Sequence, residues 1–171
     1  MKATRSELIS SGDGAWRTHL RRAVGSGLLA GCLSAASAAA AAADADGTPC
    51  APINAVTHCL WPRRALRERG FSLRHTVTGF AIHQSAAIFW ALLYEALVAR
   101  LAGGCAQRRP AAAAGAAAAT AATAYLIDYK VVPARLTPGF EAHLSRRALG
   151  TVYVALGCGL LAAALLRRQN A

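Results

Sequence analysis

Acidic side chains are scarce in this chain: eight Asp and Glu stand against nineteen Lys and Arg, a formal net charge of +11. Only 16% of the 171 residues are charged, against roughly 25% in an ordinary soluble domain. Five cysteines fall at no CxxC spacing, so thiol-redox and zinc-knuckle motifs are absent. No HExxH, GxSxG, phosphate loop or GxGxxG occurs either. With 55% hydrophobic residues, these absences argue against a soluble enzyme, a disordered chain and a secreted disulfide scaffold.

The few charges are also unevenly spread. Four windows carry none: Ala23–Ala43, Thr76–Tyr94, Pro110–Ile127 and Ala148–Leu166, of 21, 19, 18 and 19 residues. A helix of about 18 or more apolar residues crosses ~30 Å of hydrocarbon. The sequence therefore predicts an all-α polytopic membrane protein. It has a basic tail over 1–22 and four spans at about 23–43, 76–97, 110–127 and 148–166. A C-terminal tail covers 167–171. Between the first two spans, Ala51–Trp61 is apolar but too short to span. It suits a re-entrant or interfacial helix, followed by Arg63, Arg64, Arg67, Arg69 and Arg74 at headgroup level.

Basic residues flank the windows: Arg17, Arg21 and Arg22 before the first, Arg100, Arg108 and Arg109 between the second and third, Arg146 and Arg147 before the fourth, and Arg167 and Arg168 after it. This is the placement of anchors for anionic lipid headgroups. No nucleic-acid motif or aromatic-interleaved basic surface appears, so the bilayer, not nucleic acid, is the expected partner. Basic residues divide 10 to 9 across the membrane, which does not fix the orientation. Their crowding before the first span favours cytoplasmic termini. Leu29-Ala30-Gly31-Cys32 resembles a lipoprotein lipobox, and the Ala38–Ala43 run offers small-residue cleavage sites. The long preceding region, with Glu7 and Asp13, and the apolar run continuing past Cys32 favour a retained span. A Cys50–Cys59 disulfide would require an oxidising compartment.

Small residues mark packing positions. Gly27 and Gly31 stand at GxxxG spacing, continued by Ala35, Ala39 and Ala43. Gly79, Gly157 and Gly159 are further close-approach candidates. The Ala-rich third window inserts marginally alone and needs a neighbouring helix. Gly and Ala facing several ways also suit a homo-oligomer.

Window two holds the deepest ionisable residue, His83. Thr76, Gly79, His83, Ala87, Trp90 and Tyr94 share one helix face, while Ile82, Phe89 and Leu92 suit lipid. An intramembrane ionisable group is a functional hypothesis by default. His83 either holds a metal or haem or relays protons, or it is a neutral imidazole bonded to a neighbouring helix. Asn54, His58 and Trp61 stand at i, i+4, i+7 on the short helix and would form the mouth of a polar pocket or pack at the interface. Glu95, with Arg100 or another arginine as partner, Asp128 at a span end, and Glu141 and His143 in a loop complete the candidates. A metal site from His58, His83 and His143 has no spacing support, so no metal or other cofactor is assigned and no catalytic residue is named.

Several strings occur together: Pro52-Ile53-Asn54-Ala55 with His58 and Trp61, Gly79 with His83, Phe89-Trp90-Ala91, Tyr94-Glu95, Asp128-Tyr129, Pro133, and Thr137-Pro138-Gly139-Phe140-Glu141. In this order, over residues 50–165, the chain resembles a group of small bacterial inner-membrane proteins with no assigned activity. The resemblance implies a multi-span membrane protein and carries over no catalytic residue. The leading functional expectation is a non-enzymatic structural or stress-related envelope component. The alternatives are a membrane-embedded metal, haem or redox site built on His83 with Asn54, His58 and Tyr94, and a transporter or channel subunit.

Overall fold

A computed structural model describes residues 5–105 and 109–169. Arg108, one of the expected anchors, and the first four residues of the tail lie outside the described residues. Five α-helices follow in order: α1 (Arg5–Asp46), α2 (Ala51–Val56), α3 (Thr78–Ala102), α4 (Arg109–Leu126) and α5 (Arg146–Gln169). No strand occurs among the described residues. Four helical stretches are long and apolar enough to cross a bilayer: Trp16–Asp46, Leu73–Ala102, Arg109–Val131 and Arg146–Gln169.

Each helical stretch outruns its charge-free window, because arginine is a good helix former and does not end a helix. Local geometry ends them instead. Gly47 (φ 72°) follows α1 and Gly103 (φ 54°) follows α3, both left-handed positions that suit glycine. α1 has 42 residues, about 63 Å at 1.5 Å per residue, twice the hydrocarbon thickness. The basic tail expected over 1–22 is helical from Arg5. Its Ser10–Gly14 stretch does not break it, since extending an established helix is far cheaper than nucleating one. Among the described side chains of α1, the first buried one is Ala23, and Trp16 is 53% exposed.

The spans form a square. α1 packs on α3 and α5, and α4 packs on the same two, so α1 and α4 are diagonal. The α1 sides are close. A methyl on Gly27 would meet Ile88 Cα at 2.5 Å, one on Gly31 would collide with the Gln84 amide, and one on Gly159 would collide with the Ala30 backbone. Gly157 faces Ala121 and Ala117 across the α4–α5 contact. Ile82 and Leu92, expected to face lipid, are instead half-buried against the core, while Phe89 is 54% exposed. The lipid-facing stripe thus lies nearer Phe89 and Leu93.

One end of the square is capped. α2 is shorter than the segment 51–61, because the chain tightens into a 3₁₀ turn at Thr57–Cys59. All six α2 residues are buried. Gly79 makes room for it, since a methyl there would collide with the Ile53 carbonyl. Phe140 and Leu144 of the α4–α5 connection complete the cap, packing with Ile53, Val56 and Val152.

Substituting Gly159→Leu forces α5 away from Ala30. We expect it to lower stability by about 3 kcal/mol or more. Gly115→Leu, where nothing lies within 4 Å, should leave stability unchanged or raise it by up to about 1 kcal/mol, as the loss of a mid-helix glycine does. Thermal unfolding of the two variants in detergent checks the contrast.

Candidate functional site

Polar side chains collect in three places. Beneath the cap, His83 reaches across from α3 to α1. Its Nε2 lies 3.1 Å from the Gly31 carbonyl and 3.0 Å from Ser34 Oγ. Ser34 donates its own proton to the carbonyl of Ala30 at 2.9 Å, so the hydrogen between the two side chains belongs to His83. The imidazole Nε2–H therefore donates to α1, which leaves Nδ1 as the ring nitrogen able to accept a hydrogen bond or a metal. Gln84 reinforces the same contact, its Nε2 lying 3.2 Å from Cys32 Sγ.

His83 also lines a cavity of about 200 Å³. Ile82 and Trp90 of α3, Val152 and Leu156 of α5, and Phe140 of the cap make it mostly apolar. Asp128, at the end of the α4 span, lines the same cavity and accepts a 2.6 Å hydrogen bond from Tyr153 of α5. Two of the sequence candidates thus meet at one void.

Asn54 and His58 do not form its mouth. The change from α-helix to 3₁₀ turn after Val56 breaks the spacing that would have put them on one face. Asn54 donates to the carbonyls of Glu68 and Gly70, at 3.1 and 2.7 Å, and accepts from Thr76 at 2.6 Å. It closes the arginine-rich loop onto the start of the second span. The His58 ring nitrogens lie 2.9 and 3.1 Å from the Ala55 and Ala134 carbonyls, joining α2 to the α4–α5 connection. Trp61 packs edge-on against His75, which is bonded to Thr57 at 2.8 Å.

At the opposite end, Glu95 is 6% exposed. Its Oε1 accepts from Arg167 and from the Ser26 hydroxyl, both at 2.6 Å, and Arg167 donates to Ser26 at 2.8 Å. This closed triangle joins α3, α1 and α5. The partner is Arg167 rather than the sequence neighbour Arg100. Tyr94 is fully buried in the core, with no hydrogen-bond partner for its hydroxyl among the described residues. The partners of Glu95 and Asp128, Arg167 and Tyr153, stand fourteen residues apart on α5, about 21 Å. The two carboxylates are therefore not an acid–base pair.

Among the described residues no three His, Cys, Asp or Glu side chains converge as a metal cluster, and Cys50 and Cys59 are not joined by a disulfide. Sequence reasoning did not single out Ser26, Ser34, Gln84, Tyr153 or Arg167 as partners. The two serines are hydroxyls inside an apolar run, the one signal that marked them. Compared with family models, with curated proteins and with solved structures, the chain finds no match.

His143, outside the spans, is held below the ordinary imidazole value of 6.5 by burial and by Arg69, while Asp46 opposes the shift. Its contribution is present above 6.5 and is lost as the pH falls from there towards the lower folded-state value. His143→Gln should narrow the fall in melting temperature between pH 7 and about pH 5. A fall identical to that of the unaltered protein contradicts this assignment.

Arg167→Ala leaves a buried carboxylate unpaired and should cost about 3 kcal/mol. Adding Glu95→Gln should recover part of that loss. Chemical or thermal unfolding of the single and double variants measures both.

Proposed function

We propose that this chain is a non-enzymatic structural or stress-related component of a bacterial inner membrane, acting through helix–helix contacts. The observation that carries the reading is the use made of the ionisable side chains in the spans. His83 is bonded to α1, Glu95 to α1 and α5, and Asp128 to α5. Each ties one helix to another. The marginal, Ala-rich α4 is held between α3 and α5, as a span of low hydropathy requires.

Placement in the inner membrane follows from the strings that resemble small bacterial inner-membrane proteins. Cytoplasmic termini are supported by Arg17, Arg21 and Arg22, which precede the charge-free part of the first span. A homo-oligomer is supported by an outward groove between α4 and α5, lined by Ala118, Ala122, Gly150 and Cys158, where small residues permit close helix approach.

One observation favours a second reading, a membrane-embedded binding protein: the cavity shared by His83 and Asp128. At about 200 Å³ it is below the roughly 300–1,000 Å³ of pockets for drug-sized ligands. It suits a small, largely apolar molecule better than haem.

The absorption spectrum and metal content of detergent-purified protein separate the two. The structural reading predicts no Soret band, no stoichiometric metal, and a His83→Ala variant that melts several degrees lower with no other change, as expected for loss of about 1–2 kcal/mol of hydrogen bonding. A Soret band or bound metal that disappears in His83→Ala would overturn it.

A further inference from the structure

The square of helices is capped at the α2 end and open at the other. There a cleft of about 580 Å³ lies among α1, α3, α4 and α5. Its charged lining is Arg22, Arg109, Arg167 and Arg168 with one carboxylate, Glu95, and its apolar lining includes Val98 and Leu165. Arg167 is already paired to Glu95. Arg22, Arg109 and Arg168 make no ion pair or hydrogen bond among the described residues. Three arginines from three helices therefore border one concave space whose only carboxylate, Glu95, is already paired to Arg167. The first turn of α4 borders the same cleft through Arg109, Pro110 and Ala113.

At the capped end Arg69 is paired to Asp46, and Arg74 stacks on Trp61 with 5.7 Å to the ring centroid. Arg63 and Arg64 are unpaired among the described residues, but they border only a hollow of their own loop with Leu60, Trp61 and Pro62.

We infer that the open cleft is a binding site for a phosphate-bearing anion. Arginine forks match phosphate oxygens in charge and geometry, and the volume admits a phosphate with a glycerol-sized substituent. The cleft lies where the spans end and the headgroup layer begins, with apolar side chains beside the charges. These features suit the headgroup of an anionic phospholipid, and free phosphate shares the same chemistry. The inference rests on the membrane placement of the spans and not on the structural role proposed above, so either can fail alone.

The test titrates purified full-length protein with phosphatidylglycerol, with phosphatidylcholine and, separately, with inorganic phosphate, reading the melting temperature. Phosphatidylglycerol should stabilise the protein more than phosphatidylcholine. Arg109→Gln/Arg168→Gln should weaken its apparent affinity by on the order of tenfold or more, at the strength ordinary for two basic groups at a membrane surface. Arg63→Gln/Arg64→Gln, at the capped end, should leave it unchanged. Stabilisation by phosphatidylglycerol but not by phosphate identifies a lipid headgroup. Equal stabilisation by phosphate, lost in the same variant, identifies a soluble phosphate group. Should the double variant not fold, Arg168→Gln alone carries the test. Affinity for both anions equal to that of the unaltered protein, or equal losses at the two ends, would overturn the inference.

Discussion

Inside a bilayer, apolar helices gain nothing from hiding their side chains from one another, because lipid tails are as apolar as leucine. Association depends on close packing and on polar groups that have no other partner. The contact of α1 with α3 meets both conditions at one place. Gly27 and Gly31 let the backbones approach until a single methyl would collide. That approach brings His83 within reach of the Gly31 carbonyl and Gln84 within reach of Cys32. Moving the helices apart by the width of a methyl group would strand both side chains in an environment with no water to receive them.

The remaining structure follows from that contact. α5 closes on the other side of α1 through Gly159, and the Glu95–Ser26–Arg167 triangle locks the three helices at one end. α4, mostly alanine, supplies little apolar area and is held by its two neighbours and by Asp128–Tyr153. At the other end α2 fills the space left by Gly79 and is covered by Phe140. The two ends differ in consequence: one is sealed by apolar side chains, and the other opens as a basic cleft.

The four spans were legible because charge is excluded from hydrocarbon whatever the fold. Helix ends were less so, since arginines next to a span continue it, and the first two spans stop at left-handed glycines, Gly47 and Gly103. The burial of α2 was hidden because its partners, Gly79 and Phe140, are distant in sequence. His83 was conspicuous by depth alone, but its partners were not: Ser34 is one hydroxyl in an alanine-rich helix that is small on every face. Glu95 offered the converse difficulty. Its need for a cation was plain, but nineteen basic residues left the choice of Arg167, 72 positions away, to the packing of α3 and α5 on the two sides of α1. The cleft was legible only as flanking arginines, because convergence depends on how helix ends meet.

The α1–α3 contact is open to a direct measurement in native membranes. Cys32 already lies beside Gln84, so a Gln84→Cys variant in which the other four cysteines are replaced by alanine should form a disulfide under mild oxidation. Phe89→Cys in the same background, on the exposed face of α3, should not. A disulfide confined to Gln84→Cys is the predicted result. No cross-link, or equal cross-linking at both positions, would contradict the arrangement on which the rest of the structure depends.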